Sequence, residues 1–299
     1  ERLWVLSRGG VGGWYEDTAR HYVDLFDLMP PAEVAARNAA RQTQEEGGGQ
    51  KQSALSAFDE ELLSRFRQRT GVGRCHVLHP SMMFTGFRHV WHHNLPFDFL
   101  WRRTRFARMT LPAVSIDGLA PKSYIAVKVY SGVAVPMTEQ NRRIVRSVVQ
   151  RAAARAPVVL LDADLPVDEH RDFVFDDIPN VRSARALMTP GNNLGVQSGL
   201  LAGASLFIGT CGGLAWMAPL LGVPTVAVYD DDRLLDERGI RFVHEAITKD
   251  NYRELLPPLL TKGGDVLGMV FASGADETGY AITTNALRTT AGNALEKGA

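Results

Sequence analysis

The sequence predicts an α/β protein of two Rossmann-like halves, on three observations. Continuous apolar runs of strand length recur through the second half, helices with a single apolar stripe separate them, and glycine turns join the two. Such alternation builds βαβ units, hence a parallel sheet with right-handed crossovers. With 299 residues, 45% of them apolar, the chain is long enough for two cores.

In chain order, Leu3-Trp4-Val5-Leu6 is the first strand. The glycine-rich Gly9-Gly10-Val11-Gly12-Gly13 follows it, beside Arg8. Tyr15 stands where G-x-G-x-x-G needs its third glycine, so this segment reads as a loop facing a cleft rather than as a dinucleotide fingerprint. Helices are expected over 32–41 and 55–67, with a polar, glycine-rich loop at 44–51 between them. Cys75-His76-Val77-Leu78-His79 is a second strand candidate. The segment 109–123, with Pro112, Gly118 and Pro121, breaks the pattern and marks the boundary between domains at 1–115 and 116–299. The chain begins without Met and directly on a strand, so the first domain is expected to lack upstream elements.

The second half is clearer. Tyr124 to Tyr130 is strand-like, and Thr138 is placed to cap a helix. Ile144, Val145, Val148, Val149, Ala152 and Ala153 form the apolar stripe of that helix, with Arg142, Arg143, Arg146 and Arg151 opposite. Pro157 to Leu161 is a strand apolar on both faces, and a weaker strand near Val181 precedes a helix over 193–203. Leu206 to Thr210 and Thr225 to Tyr229 close the series, joined by a short helix and a Gly222-Val223-Pro224 turn.

Basic and acidic residues are equal in number, 33 each, so no global charge draws the chain to nucleic acid or an anionic membrane. Two cysteines, Cys75 and Cys211, suit a reducing compartment, and the cytoplasm is expected. No apolar run is long enough for a membrane helix.

Ligands of doubly wound sheets bind beyond the carboxyl ends of strands, which selects a few positions. Gly209-Thr210-Cys211-Gly212-Gly213 leads from a strand into a helix start. Its backbone N–H groups and the Thr210 hydroxyl suit a phosphate, although a plain strand-to-helix turn has the same composition. Lys128, ending an apolar strand, needs a counter-charge; it either neutralises a ligand phosphate or snorkels to the sheet end. Asp162-Ala163-Asp164 is a D-x-D pair that could hold a divalent cation, yet it is followed by further βαβ units, and no metal is expected. Asp168, Glu169 and His170 read as loop residues. His79, at a strand end, is the candidate general base. Tyr124 and Tyr130 read as packing residues. Trp91-His92-His93 and the segment 101–108 interleave aromatic and basic groups. They suit either an amphipathic helix with its aromatics in the core or contact with an anionic acceptor or a membrane surface.

Phe207 to Leu214, followed by Ala218 to Tyr229, resembles the glycine-turn and G-x-P segment of the lipopolysaccharide heptosyltransferase group, glycosyltransferases of the two-Rossmann GT-B fold. The likeness covers about a third of the chain, roughly 124–229. It implies a GT-B enzyme whose second domain holds a nucleotide-sugar donor through Lys128, Gly209, Thr210, Gly212 and Gly213, and whose first domain receives the acceptor. The implied reaction moves the sugar to a hydroxyl of a glycan, lipid-linked or other acceptor in bacterial surface glycan synthesis, without a metal or resident cofactor, at or near the inner membrane. Contacts that choose the nucleotide base would come from the loop over 185–193. Cys211-Gly212 stands near where that group carries an acidic residue, and Trp216 where it often has His, so neither role is transferred. A nucleotide-sugar 2-epimerase of the same fold and a non-catalytic GT-B-like binding module are the alternatives.

Overall fold

The computed structural model describes residues 3–16, 19–45, 55–73, 75–77, 110–120, 123–132, 135–165, 170–210 and 212–228. They gather into two compact units. One comprises the described residues of Glu1–Thr110, Leu165–Glu169 and Pro190–Asn192. The other comprises those of Leu111–Asp164, His170–Thr189 and Asn193–Ala299.

In the first unit, β1 (Trp4–Ser7) pairs in parallel with β2 (His21–Asp24), Trp4 opposite His21 and Ser7 opposite Asp24. The glycine-rich segment lies between them, and its glycines have packing reasons. Gly9 and Gly10 turn through the left-handed region, at φ 80° and 73°. A side chain on Gly12 would press on the Tyr22 ring. Asp24 ties the turn down, accepting from the Gly10 N–H at 2.9 Å, the Tyr22 hydroxyl at 2.8 Å and the Phe26 N–H at 3.0 Å. Burial, together with that bond to Asp24, pushes the Tyr22 phenol well above its ordinary range.

Two helices follow, α1 (Pro31–Glu45) and α2 (Ala57–Thr70). Pro31 opens the first, where its missing N–H costs nothing. Ser56 and Asp59 form a capping box on the second, which ends on Gly71 in the left-handed conformation. Met29, Val34, Phe58 and Leu62 are the core between them. At its rim Arg65 reaches Glu33 at 2.5 Å and Glu61 at 2.6 Å, linking the two helices. Of the strand expected over 75–79, the described residues Cys75–Val77 have no regular structure, and no strand among the described residues pairs with them.

The second unit is a Rossmann-like α/β domain. Its sheet contains β3 (Ile125–Lys128), β5 (Val158–Leu160), β7 (Val181–Ser183), β8 (Leu206–Thr210) and β9 (Thr225–Val228), in the spatial order β7-β5-β3-β8-β9 with every pair parallel. Residues buried on both faces explain the continuous apolar runs. The strand expected over 124–130 is split. Its last part, β4 (Tyr130–Ser131), leaves the sheet and pairs antiparallel with β6 (Arg171–Asp172).

Helix α3 (Glu139–Ala153) starts on Thr138, whose side chain accepts from the Asn141 N–H at 3.1 Å. Val145, Val149, Ala152 and Ala153 of the expected stripe are buried in the sheet's main core, with Val148 packed against it. Arg146 is not merely solvated: it pairs with Asp177 and, like Arg142, lies over the Phe175 ring. Helix α4 (Asn193–Ala202) has polar and apolar residues alike buried. Helix α5 (Gly213–Leu220) joins β8 to β9 through Gly222, at φ 81°, with the Val223 N–H reaching back to the Ala218 carbonyl at 2.9 Å.

Among the described residues no helix is long and apolar enough to cross a membrane. His79, Trp91–His93, the segment 101–108, Asp168, Glu169, Cys211 and Tyr229 lie outside the described residues.

Candidate functional site

The strand order fixes where a ligand has room. From β3 the chain builds outward to β5 and β7, then returns and adds β8 and β9 on the other flank of β3. Connections therefore leave β3 and β8 in opposite directions, and in doubly wound sheets such a reversal is where ligands are received, beyond the carboxyl ends of the strands. Lys128, the last residue of β3, is the register partner of Gly209 on β8. Thr210, Gly212 and Gly213 follow within four residues, so five of the residues singled out in the sequence lie at or just beyond the carboxyl ends of two neighbouring strands.

Their individual roles differ from those expected. Gly209 is interior to its strand: a side chain there would run into the Phe207 ring and the Lys128 carbonyl, so packing alone requires the glycine. Thr210 is buried, and its hydroxyl donates to the Tyr130 carbonyl at 2.9 Å while accepting from the Tyr130 N–H at 2.8 Å. That proton is committed to holding β4 against β8. The expectation of a Thr210 bond to phosphate is therefore corrected: the hydroxyl serves as a strand link.

Helix α5 begins immediately afterwards. Gly212 is its N-cap, in extended conformation and without a side-chain cap, and its carbonyl accepts from the Ala215 N–H at 2.8 Å. The first N–H groups of a helix have no partner within the helix and carry the positive end of its dipole. A side chain on Gly212 would collide with the Tyr130 hydroxyl, whereas one on Gly213 would meet no heavy atom of the described residues within 4 Å. The helix start is therefore roofed by Tyr130 at one residue and open at the next. Tyr130 is more than the packing residue it seemed in sequence, and its ring lies 4.6 Å from that of His170.

Lys128 is not an open cation. Its ammonium lies 2.7 Å and 2.8 Å from the two carboxylate oxygens of Asp172 on β6, and one of those oxygens also accepts the Ala163 N–H at 3.0 Å. The chain itself supplies the counter-charge. Both side chains are largely shielded, at 14% and 15% exposure.

The D-x-D pair is divided by its surroundings. Asp162, 2% exposed, accepts from the Ser183 hydroxyl at 2.6 Å and from Arg185 through Nε at 2.9 Å and Nη2 at 2.6 Å. Both arginine donors converge on one carboxylate oxygen while Ser183 takes the other, and the charge-assisted bond to Asp162 raises the Arg185 pKa. Asp164 is exposed, at φ 51°, and 3.6 Å from Arg185. Asp162 is thus a structural partner of arginine at the ends of β5 and β7. Among the described residues no group of three or more His, Cys, Asp or Glu is placed to hold a metal ion.

Asp172 is the residue of this rim that the sequence did not single out; Tyr130 reads there as packing, and Arg185 as the start of a base-selecting loop. The ion pairs span long separations, Lys128 to Asp172 across 44 residues and Arg185 to Asp162 across 23. A lysine in an apolar strand signals that its charge must be met, without saying whether by the chain, a ligand or solvent.

Comparison with known proteins gives short likenesses. No family model matches the chain, and no solved structure matches it. The homospermidine synthase of Mesorhizobium japonicum (strain LMG 29417 / CECT 9101 / MAFF 303099) is 68% identical over 34 residues, 11% of this chain and 7% of that protein. The homospermidine synthase of Blastochloris viridis is 61% identical over 31 residues, 10% of this chain and 6% of that protein. The chain thus spans less than a tenth of the length of the curated relatives it matches.

Proposed function

We propose that the chain is a glycosyltransferase of the GT-B class whose Rossmann-like domain holds the diphosphate of a nucleotide-sugar donor in the β3–β8 crevice. The observation that carries this reading is the open start of α5 at Gly213, directly after β8 and at the reversal of strand order. The resemblance of the 207–229 segment to the heptosyltransferase group supports it. In the reaction, the bond between the anomeric carbon and the leaving phosphate oxygen breaks, and the acceptor oxygen forms a new bond to that carbon. The acceptor proton passes to a base, for which His79 is the candidate. The helix start stabilises the charge that develops on the leaving diphosphate. Lys128 contributes to the extent that it turns from Asp172 toward the ligand.

A shared stretch of 34 residues is short beside a site assembled from residues 128–213, so homospermidine synthesis is not carried over. The test is thermal stabilisation by UDP, GDP, ADP and CMP. Binding at one hundred times Kd adds about 2.7 kcal/mol to stability. A rise in melting temperature with one or more of them supports the reading, and no response to any of the four removes it. Turnover without acceptor, releasing free sugar and nucleotide, would favour the epimerase.

A further inference from the structure

We infer that Asp172 is the residue that sets anion selectivity in this crevice, by acting as an internal competitor for Lys128. The inference rests on the reading of the crevice as a diphosphate site. The ammonium is held by both oxygens of one carboxylate, at 2.7 Å and 2.8 Å, and the pair is 14% and 15% exposed. Solvent and salt screen such a pair weakly, so its attraction is strong. While it persists, Lys128 adds no net charge there, and the start of α5 still attracts anions.

An entering anion can recruit Lys128 only by offering it more than the carboxylate does. A monoanion offers one charge and gains little by the exchange. A diphosphate carries several charges over two linked phosphates, so one can face the helix start while the other takes the ammonium. Asp172 is not left bare by the exchange, because it keeps the Ala163 N–H at 3.0 Å. The carboxylate therefore discriminates against singly charged ligands without contacting the sugar or base. Asp172 is a positioning residue here, acting through Lys128.

The experiment measures binding of inorganic pyrophosphate and of inorganic phosphate by calorimetry, at fixed salt and about pH 5.5, where phosphate is mostly the monoanion and pyrophosphate keeps at least two charges. The proteins compared are the wild type, Asp172→Asn, Lys128→Met and the Lys128→Met/Asp172→Asn double variant. Asparagine keeps the shape and still accepts hydrogen bonds, but releases the ammonium. Asp172→Asn is expected to bind pyrophosphate about tenfold tighter. Its gain for phosphate should be larger, so that the preference for pyrophosphate shrinks. The double variant should lose the gain, which a merely structural role of Asp172 would not produce.

Equal or weaker pyrophosphate binding by Asp172→Asn overturns the inference, as does a gain that persists without Lys128. Should the single variant not fold, the wild type answers by lysine side-chain NMR. A Lys128 ammonium signal that moves with pyrophosphate and stays with phosphate supports the exchange, and one that ignores both overturns it. If wild type responds to a nucleoside diphosphate while Asp172→Asn behaves identically, only this inference falls. If neither protein binds any nucleotide or pyrophosphate, the diphosphate reading falls with it.

Discussion

Three glycines within five residues have three different fates on substitution by alanine, which makes the crevice testable by single methyl groups. At Gly209 the added carbon would press into the buried Phe207 ring and the Lys128 carbonyl, and backbone cannot step aside. At Gly212, where the extended backbone admits any residue, it would collide with the Tyr130 hydroxyl, the movable end of a side chain. At Gly213, the first residue of α5, it would meet nothing among the described residues. Overpacking costs about 1–3 kcal/mol, so Gly209→Ala is placed at the upper end and Gly212→Ala at the lower. Gly213→Ala removes unfolded-chain entropy without strain and should stabilise by about 0.4–1 kcal/mol. At about 2–4 °C per kcal/mol for a domain of this size, thermal melts separate the three. Tyr130→Ala should rescue Gly212→Ala and leave Gly209→Ala unrescued, a coupling read from a double-mutant cycle. The stabilised Gly213→Ala protein should bind nucleoside diphosphate at least tenfold more weakly, because its methyl occupies the space that the ligand needs. Equal destabilisation at all three positions, or an undiminished affinity at Gly213→Ala, refutes the assignment of the open helix start as the ligand's seat.

Other outcomes follow from the same geometry. Arg185→Ala leaves Asp162, 2% exposed, bonded to the Ser183 hydroxyl but without its cation, and should cost about 1–3 kcal/mol in urea unfolding. The cost is held below that of a fully buried pair because the arginine is 43% exposed. Thr138→Ala removes the cap of α3 and should cost about 1 kcal/mol, with Thr138→Ser restoring most of it. Hydrogen bonds from Arg65 and Arg146 hold Glu33 and Asp177 below their ordinary values of 4.5 and 3.8. Groups depressed in the folded state contribute stability above those ordinary values and lose it as pH falls through the folded ones. Melting temperature should therefore stay level from pH 7 to 5 and drop below about 4.5, less steeply in Arg65→Gln.

What was legible in the sequence followed from local chemistry. Pro157 to Leu161 could not be an exposed segment, since five successive apolar residues need cover on both faces, and β5 lies inside the sheet. Thr138 and the stripe at 145, 149 and 152 announced α3 because capping and helical period act over a few residues. What was not legible depended on partners far along the chain. Nothing near Lys128 reveals Asp172, and Thr210 looked like a free hydroxyl because Tyr130 is 80 residues away. The split of the 124–130 run had the same cause: β4 exists through its pairing with β6, two residues long and 40 residues distant. The Cys75–Val77 segment carries strand-forming residues without a neighbour to pair with among the described residues.

The strand order has a consequence for how the domain assembles. Pairing β3 with β5 closes a loop of roughly 33 residues, from Ile125 to Val158, while pairing it with β8 brings Ile125 to Leu206. The second closure is slower, since the entropic cost rises with loop length, by roughly 0.8 kcal/mol between these two. The β7-β5-β3 half can therefore form first, with β8, α5 and β9 docking onto its open edge as a later cooperative unit. The crevice comes into being with that late step and is lost when it reverses. A ligand held there would act as a clasp on the unit that detaches most readily, slowing amide exchange in β8 and β9 before it changes exchange in β5.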